Sequence, residues 1–299
     1  MRVFLTGATG FIGSRVLPEL LAAGHHVIGT ARSDAGAARV AAAGAEPFRG
    51  DLGDPDGLAR GAATADAVIH TAFDHDFSRF AAACAQDGRV IAALGDALAG
   101  SDRPLLITSG VPLGLPAPGA YAREDVFDRD DPIPRVASER AGEEARERGA
   151  SVAVVRLPQV HDPVKQGLIS PMIEIAREKG VAPYVGDGAN RWCAAAVADV
   201  ARLYVRALER HESGARWHAV AEEAIAMRDI VAAIGAGLGV PVVSMTADAA
   251  AAHFGWMAMF AGLDMPASSA VTRARLDWVP TGPTLIEDLA RMDYATAAA

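Results

Sequence analysis

The chain has 299 residues, of which 51% are hydrophobic and 22% are charged. This length suits one large domain or two unequal ones, and the composition excludes a mainly disordered chain. The formal net charge of -9 argues against a protein that binds nucleic acid non-specifically, because contacts with phosphates require a basic surface.

The two cysteines, Cys84 and Cys193, stand far apart and form no CxxC or Cys/His spacing. We therefore expect neither a disulfide framework nor a metal site. Glycines interrupt the apolar N-terminus, which argues against a signal peptide, and they also interrupt the longest uncharged stretch, residues 230–247. The sequence thus predicts a soluble, cytoplasmic protein with no membrane partner.

Short apolar runs alternate with alanine-rich helical segments through the first half of the chain. Continuous apolar strands separated by helices predict an α/β fold, a Rossmann-type doubly wound parallel sheet that binds ligands beyond the carboxyl ends of its strands. The predicted strands are Arg2–Leu5, His26–Thr30, Glu46–Phe48, Ala67–His70, Pro104–Thr108 and Ser151–Arg156. The predicted helices are Phe11–Ala23, Ala35–Ala43, Asp54–Ala62, Asp76–Ala99 and Arg135–Arg148.

The pattern changes after residue 156, where prolines and glycines become frequent. We predict a dinucleotide-binding domain over residues 1–160, with residues 190–220 packing back on it. Residues 161–189 and 221–299 are predicted to form a smaller C-terminal substrate-binding lobe. The helices predicted in this half are Pro171–Lys179, Val197–Arg210, Met227–Ala236, Ala247–Phe260 and Pro283–Met292.

The first predicted strand runs into the sequence TGATGFIG, and a helix follows directly. Gly7 permits a tight turn, Gly10 lets the backbone approach a pyrophosphate, and Gly13 lets the helix pack against the strand. The unpaired amide groups and the dipole at the start of the helix favour phosphate binding. The predicted phosphate cradle therefore comprises Gly7, Thr9, Gly10, Phe11, Ile12 and Gly13.

Together with later motifs, this loop resembles the extended and atypical short-chain dehydrogenase/reductase superfamily, of the nucleoside-sugar epimerase and hydroxysteroid dehydrogenase type. The resemblance covers most of the chain and rests on GDLGD at residues 50–54, HTA at 70–72, TSG at 108–110 and RLP at 156–158. It implies adenine contacts at Asp51 and Leu52, further cofactor contacts at Thr71, Ala72 and Leu157, and a catalytic serine at Ser109. It also implies a homodimer through the helices Asp76–Ala99 and Arg135–Arg148.

The end of the second predicted strand bears on which dinucleotide is bound. The segment Gly29–Ser33 has no acid at its tip and carries Arg32 instead, while Asp34 is expected to cap the following helix. A guanidinium binds phosphate through two parallel hydrogen bonds, so Arg32 favours NADP(H), with NAD(H) as the alternative.

The superfamily reduces carbonyls with a tyrosine and a lysine four residues later, and this pair is missing here, since neither lysine follows a tyrosine at that distance. The landmark formed by Ser138 and Glu143 aligns Arg135 with the tyrosine and Glu139 with the lysine. In one interpretation Arg135 and Glu139 form a surface pair and catalysis is lost. In the other, Glu139 holds Arg135 against the carbonyl oxygen, where it stabilises developing negative charge.

A guanidinium does not give up a proton at working pH, so another group must supply one. The candidate donors are His75, His161 and Tyr121. His75 is flanked by Asp74 and Asp76, either of which could orient its imidazole.

We expect Ser109 to donate a hydrogen bond to a substrate carbonyl. The aromatic and methionine run His253–Phe260 favours core packing, and if part of it faces the cleft the substrate is apolar or aromatic. The leading hypothesis is an NADPH-dependent reductase of a small-molecule ketone or aldehyde. The alternatives are a non-catalytic NADP-binding regulator and a sugar-nucleotide epimerase or dehydratase.

Overall fold

A computed structural model describes residues 1–295 as alternating strands and helices. The strands are β1 Arg2–Thr6, β2 His26–Ala31, β3 Glu46–Arg49, β4 Ala67–His70, β5 Pro104–Gly110, β6 Ser151–Leu157, β7 Gln159–His161, β8 Ala182–Val185, β9 Arg191–Ala196, β10 Arg216–His218, β11 Glu222–Ala226 and β12 Val242–Met245. The helices are α1 Gly13–Ala22, α2 Asp34–Ala42, α3 Pro55–Ala63, α4 Phe80–Leu98, α5 Val136–Glu147, α6 Ile169–Lys179, α7 Val197–Glu209, α8 Met227–Leu238, α9 Ala247–Phe254, α10 Ala258–Ala261, α11 Ala270–Leu276 and α12 Leu285–Arg291. Short 3-10 turns occupy Phe77–Arg79, Val111–Gly114 and Gly255–Met257.

Seven parallel strands form the central sheet in the order β3-β2-β1-β4-β5-β6-β10. Alternate residues of a strand point to opposite faces, so Val3 and Leu5 of β1 pack into one core and Phe4 packs into another. The first core contains α1 and α7, and the second contains α3, α4 and α5. This arrangement confirms the predicted doubly wound sheet.

The second half of the chain differs more from the prediction. The short strand β10 adds to the central sheet, and two small sheets, β11-β9-β7 and β12-β8, form beside it. The predicted helix Ala247–Phe260 breaks at Gly255, whose φ of 56° lies in the left-handed region that ends a helix. A third core of buried residues from α6, α8, α9 and α12 packs around Trp192. Within residues 1–295, none of the helices has both the length and the apolar character that a bilayer crossing requires.

Glu139 is fully buried and lies on the side of α5 that faces the central sheet. Its Oε1 accepts a hydrogen bond from Arg156 Nε at 2.7 Å, and its Oε2 accepts one from Arg216 Nε at 2.9 Å. Arg135 precedes the first residue of α5 and turns toward α4 instead. Both interpretations assumed a pair between Arg135 and Glu139. That pair was wrong, because the i,i+4 geometry requires both residues to lie within the helix.

The buried ion cluster around Glu139 joins α5 to β6 and β10. Burial alone would raise the pKa of Glu139, but hydrogen bonds and charge from Arg156 and Arg216 outweigh it and lower that pKa. The carboxylate therefore stays ionised and neutralises Arg156, whose side chain is also fully buried. This cluster holds the edge of the sheet together.

Replacing Glu139 tests whether its role is structural. Glu139→Gln leaves the buried Arg156 without its counter-charge, so we expect the free energy of unfolding in urea to fall by about 3–5 kcal/mol. Glu147→Gln is the matched control, since Glu147 forms an exposed pair with Arg129 and its loss costs about 1 kcal/mol or less. Equal stability of the two variants would contradict the structural role.

Candidate functional site

A cavity of about 1610 Å³ opens at the carboxyl ends of the central strands. Ligands of doubly wound sheets bind at this edge, because the loops that follow the parallel strands converge there. All of the residues predicted to contact a cofactor line this cavity, namely Gly7, Thr9, Gly10, Phe11, Ile12, Gly13, Arg32, Asp51, Leu52, Thr71, Ala72 and Leu157.

The loop between β1 and α1 is closely packed at its glycines. Gly7 has a φ of 70°, and a Cβ atom there would lie 2.7 Å from the amide nitrogen of Ala72. A Cβ on Gly13 would lie 2.1 Å from the carbonyl oxygen of Gly7. No side chain caps the start of α1. The amides of Ser14 and Arg15 bond the carbonyl oxygens of Gly10 and Ile12, which leaves the amide of Gly13 and the dipole of the helix to a phosphate. These features fit the pyrophosphate of a dinucleotide.

The end of β2 presents a cation to the cavity. Arg32 is exposed and, within residues 1–295, forms no hydrogen bond or ion pair. Asp34 pairs with Arg49 at 3.2 Å, while Ser33 caps α2 by accepting a hydrogen bond from the amide of Gly36. The prediction that Asp34 caps this helix was wrong, because Ser33 has the extended backbone of an N-cap residue.

Ser109 lies near the end of β5, on the cavity wall. Its hydroxyl group is buried and has no hydrogen-bond partner in the part of the chain that the structure describes. The neighbouring Thr108 is fully engaged, since its hydroxyl bonds the carbonyl oxygen of His70 and the phenol of Tyr204, each at 2.6 Å. A buried hydroxyl group without a partner is available to a ligand.

Arg135 reaches the same wall from the segment before α5. Its Nη1 donates to Asp87 Oδ2 at 2.9 Å, and its Nη2 donates to the carbonyl oxygen of Thr108 at 2.8 Å. The guanidinium also lies 4.1 Å from the centre of the Phe73 ring. Arg135 thus brings a fixed positive charge to the end of the cavity that contains Ser109.

The partner of Arg135 was missed by sequence reasoning. Asp87 lies in α4, in the mainly apolar stretch FAAACAQDGRV, and its side chain is only 1% exposed. An acid within an apolar helix face was the available signal, because buried carboxylates are rare unless they are paired.

His75 lines the cavity, and its Nδ1 donates to the carbonyl oxygen of Phe73 at 3.1 Å. Desolvation by the surrounding protein, and then the charge of Arg135, lower the pKa of His75. The expected orienting acids do not contact it, since Asp74 and Asp76 both bind Arg79.

The other two candidate proton donors lie outside the cavity lining. His161 is fully buried, and its Nδ1 donates to Asp288 Oδ2 at 2.7 Å; burial lowers its pKa. Tyr121 is exposed and stacks beneath Arg191, 5.3 Å from ring centre to guanidinium carbon. The structure therefore does not bring these two candidate donors to the cavity, because β7 turns His161 into the core beneath α12 and the loop after β5 carries Tyr121 to the surface.

Aromatic side chains line the cavity beyond Ser109 and Arg135. Phe77 stacks on Trp256 with ring centres 5.1 Å apart, and Phe260 meets Phe77 edge-on at 5.6 Å. The residues of the run His253–Phe260 divide between two environments because the chain breaks at Gly255. Phe254 and Met257 are buried in the core, whereas Trp256, Met259 and Phe260 line the cavity.

A family model described as NAD(P)H-binding matches residues 7–211 of this chain. The chain is similar to an uncharacterised protein of Schizosaccharomyces pombe, with 43% identity over 98% of this chain and 100% of that protein. An uncharacterised protein of Saccharomyces cerevisiae is 40% identical over 99% of each chain. A 2-alkyl-3-oxoalkanoate reductase of Stenotrophomonas maltophilia is 26% identical over 81% of this chain and 77% of that protein.

Solved structures of similar fold include a nucleoside-diphosphate-sugar epimerase of Pseudomonas aeruginosa. Its TM-score is 0.77 at 22% identity, covering 97% of this chain and 95% of that one. A UDP-glucose 4-epimerase of Thermus thermophilus in complex with NAD has a TM-score of 0.72 at 20% identity, covering 100% of both chains. This chain therefore belongs to the NAD(P)H-binding family, whose model covers more than half of it.

Proposed function

We propose that this protein is an NADPH-dependent reductase of apolar or aromatic ketones or aldehydes. The observation that carries the proposal is the placement of the unpartnered Ser109 hydroxyl and the fixed Arg135 guanidinium at one end of a cavity that also contains the phosphate loop. The similarity to a 2-alkyl-3-oxoalkanoate reductase supports this class of reaction. The wall that includes Phe77, Trp256 and Phe260 favours an apolar or aromatic substrate.

NADPH, when bound, supplies a hydride to the carbonyl carbon of the substrate. Ser109 donates a hydrogen bond to the carbonyl oxygen, and Arg135 stabilises the negative charge that develops on that oxygen. Contacts with Asp87 and Thr108 fix Arg135 before the reaction, and the Ser109 hydroxyl is buried. Donors that are shielded from bulk water stabilise such charge most strongly.

The proton that completes the alcohol comes from His75 in this proposal. It lines the cavity, and because desolvation and Arg135 lower its pKa, its protonated form donates mainly at acidic pH. Guanidinium groups do not donate protons at working pH, so Arg135 is restricted to an electrostatic role.

NADPH is favoured over NADH by the end of β2. Arg32 lines the cavity and has no partner within residues 1–295, whereas Asp34, the nearest acid in the sequence, forms an exposed pair with Arg49. A guanidinium binds phosphate oxygens through two parallel hydrogen bonds, while a 2′-hydroxyl needs an acceptor at this position.

The purified protein is expected to oxidise NADPH when alkyl and aryl ketones are supplied, as followed by absorbance. Ser109→Ala should lower kcat about 100-fold, because it removes a hydrogen-bond donor to the carbonyl oxygen. Ser213→Ala, at an exposed serine outside this cavity, is the control and should leave kcat unchanged. Tight NADPH binding without turnover of any carbonyl would contradict the proposal and favour a non-catalytic NADP-binding regulator.

The pH profile tests the role of His75. If the protonated imidazole is the donor, kcat/KM falls as pH rises through a pKa lower than 6.5. His75→Gln should remove this dependence, and His253→Gln, whose side chain lies outside the cavity lining, should keep it. An unchanged profile in His75→Gln would exclude His75 as the donor.

Cofactor choice is tested at Arg32. Arg32→Gln should raise the Kd of NADPH by about 10- to 100-fold and leave that of NADH unchanged, because only NADPH carries the 2′-phosphate. Calorimetric titration measures both constants. Arg39→Gln, at an exposed arginine of α2 away from the cavity, is the matched control. An equal loss for both cofactors would overturn the assignment.

A further inference from the structure

Asp87 lies at the centre of a buried hydrogen-bond network beneath the cavity. Its Oδ1 pairs with His70 Nε2 at 3.0 Å. Its Oδ2 accepts hydrogen bonds from Arg135 Nη1 at 2.9 Å and from Ser138 Oγ at 2.6 Å. Three elements therefore contribute donors to one carboxylate on α4: the end of β4, the segment before α5, and α5 itself.

The network extends from Asp87 to the phosphate loop. His70 Nδ1 lies 2.7 Å from Thr6 Oγ1, which also accepts a hydrogen bond from the amide of Ala72 at 3.3 Å. Since a carboxylate only accepts, His70 Nε2 donates to Asp87, while Nδ1 bonds the hydroxyl of Thr6. The hydrogen-bonded series Thr6–His70–Asp87 therefore connects the residue before Gly7 to the carboxylate that binds Arg135.

The electrostatics of the network keep Asp87 charged. Burial alone would raise the pKa of Asp87, but the charge of Arg135 and the hydrogen bonds from His70 and Ser138 outweigh it and lower that pKa. A buried carboxylate holds its cation strongly, because water does not compete for either partner. Arg135 is fixed at a second point by the carbonyl oxygen of Thr108, the residue before Ser109.

We propose that Asp87 is a positioning residue that fixes Arg135 beside Ser109 and, through His70 and Thr6, ties the guanidinium to the phosphate loop. This inference rests on the proposed reductase function. The cluster around Glu139 provides the contrast. Glu139 lies on the sheet-facing side of α5 and is absent from the cavity lining, as are its partners Arg156 and Arg216, whereas Arg135 lines the cavity.

A double-mutant cycle tests the proposal. Asp87→Asn keeps the size of the side chain but removes the charge, and we expect kcat to fall about 10- to 100-fold with little change in the Kd of NADPH. If Asp87 acts through Arg135, the variant Asp87→Asn/Arg135→Ala is no slower than Arg135→Ala alone. Losses that multiply would show that Asp87 acts independently of Arg135 and would overturn the proposal.

Two further variants control for folding. Asp96→Asn, at an exposed acid of α4 that pairs with Arg148, should leave kcat unchanged. If Asp87→Asn fails to fold, Ser138→Ala takes its place in the cycle, because it weakens the network at Oδ2 and keeps the carboxylate. Its loss of kcat must likewise vanish in the Arg135→Ala background, and a loss that persists there would overturn the proposal.

A readout independent of turnover separates this inference from the proposed function. Phenylglyoxal reacts with accessible guanidinium groups, and the side chain of Arg135 is only 14% exposed. Mass spectrometry should show faster modification of Arg135 in Asp87→Asn than in the unmodified sequence. An unchanged rate would overturn the positioning role even if the protein reduces ketones, and a faster rate supports it even if no ketone is reduced.

Discussion

The ion pair between Asp87 and Arg135 joins the parts of the molecule that form the candidate site. Asp87 belongs to α4, and Arg135 precedes α5 and binds the carbonyl oxygen of Thr108 at the end of β5. The same carboxylate is bonded to His70 at the end of β4. The positions of these elements at the cavity are therefore coupled through one buried charge, which costs several kcal/mol to desolvate and persists only because its partners surround it.

Arg135 and Glu139, which the resemblance aligns with the YxxxK pair, belong to separate structural units. Arg135 faces the cavity and is held from α4, whereas Glu139 faces the sheet and binds both Arg156 and Arg216. Arg216 also pairs with Glu143, so the two carboxylates balance the two guanidinium groups. In the superfamily that this chain resembles, the lysine lowers the pKa of the tyrosine. A guanidinium does not donate a proton at working pH, so the proposed reduction needs another acid. His75 lines the cavity and is the proposed donor, and its lowered pKa confines the donating, protonated form to acidic pH.

Local patterns in the sequence were sufficient to predict the central sheet and the cofactor end of the site. Five of the six predicted strands form because apolar runs such as Val3–Leu5 are buried on both faces, whereas β3 is a largely exposed edge strand. Gly7 and Gly13 lie where a Cβ atom would collide with backbone. Strand β10 was missed, since it has three residues and polar ones at both ends.

The substrate end depends on contacts between residues far apart in the chain, which no local pattern encodes. Asp87 and Arg135 are separated by 48 positions, and His161 and Asp288 by 127. Spacing alone suggested a pair between Arg135 and Glu139, but that spacing is informative only within a helix, and Arg135 lies before α5 begins. The buried position of His161 likewise depends on a distant part of the chain, because α12 covers it.

The proposed function depends on hydride transfer from NADPH at the Ser109 end of the cavity. This transfer is followed with NADPH that carries deuterium at both hydrogens of the nicotinamide C4 and an aryl ketone, with mass spectrometry of the product. The expected product is an alcohol with one deuterium on its carbinol carbon. Recovery of the unchanged ketone from protein saturated with NADPH, or an alcohol without deuterium, would contradict it.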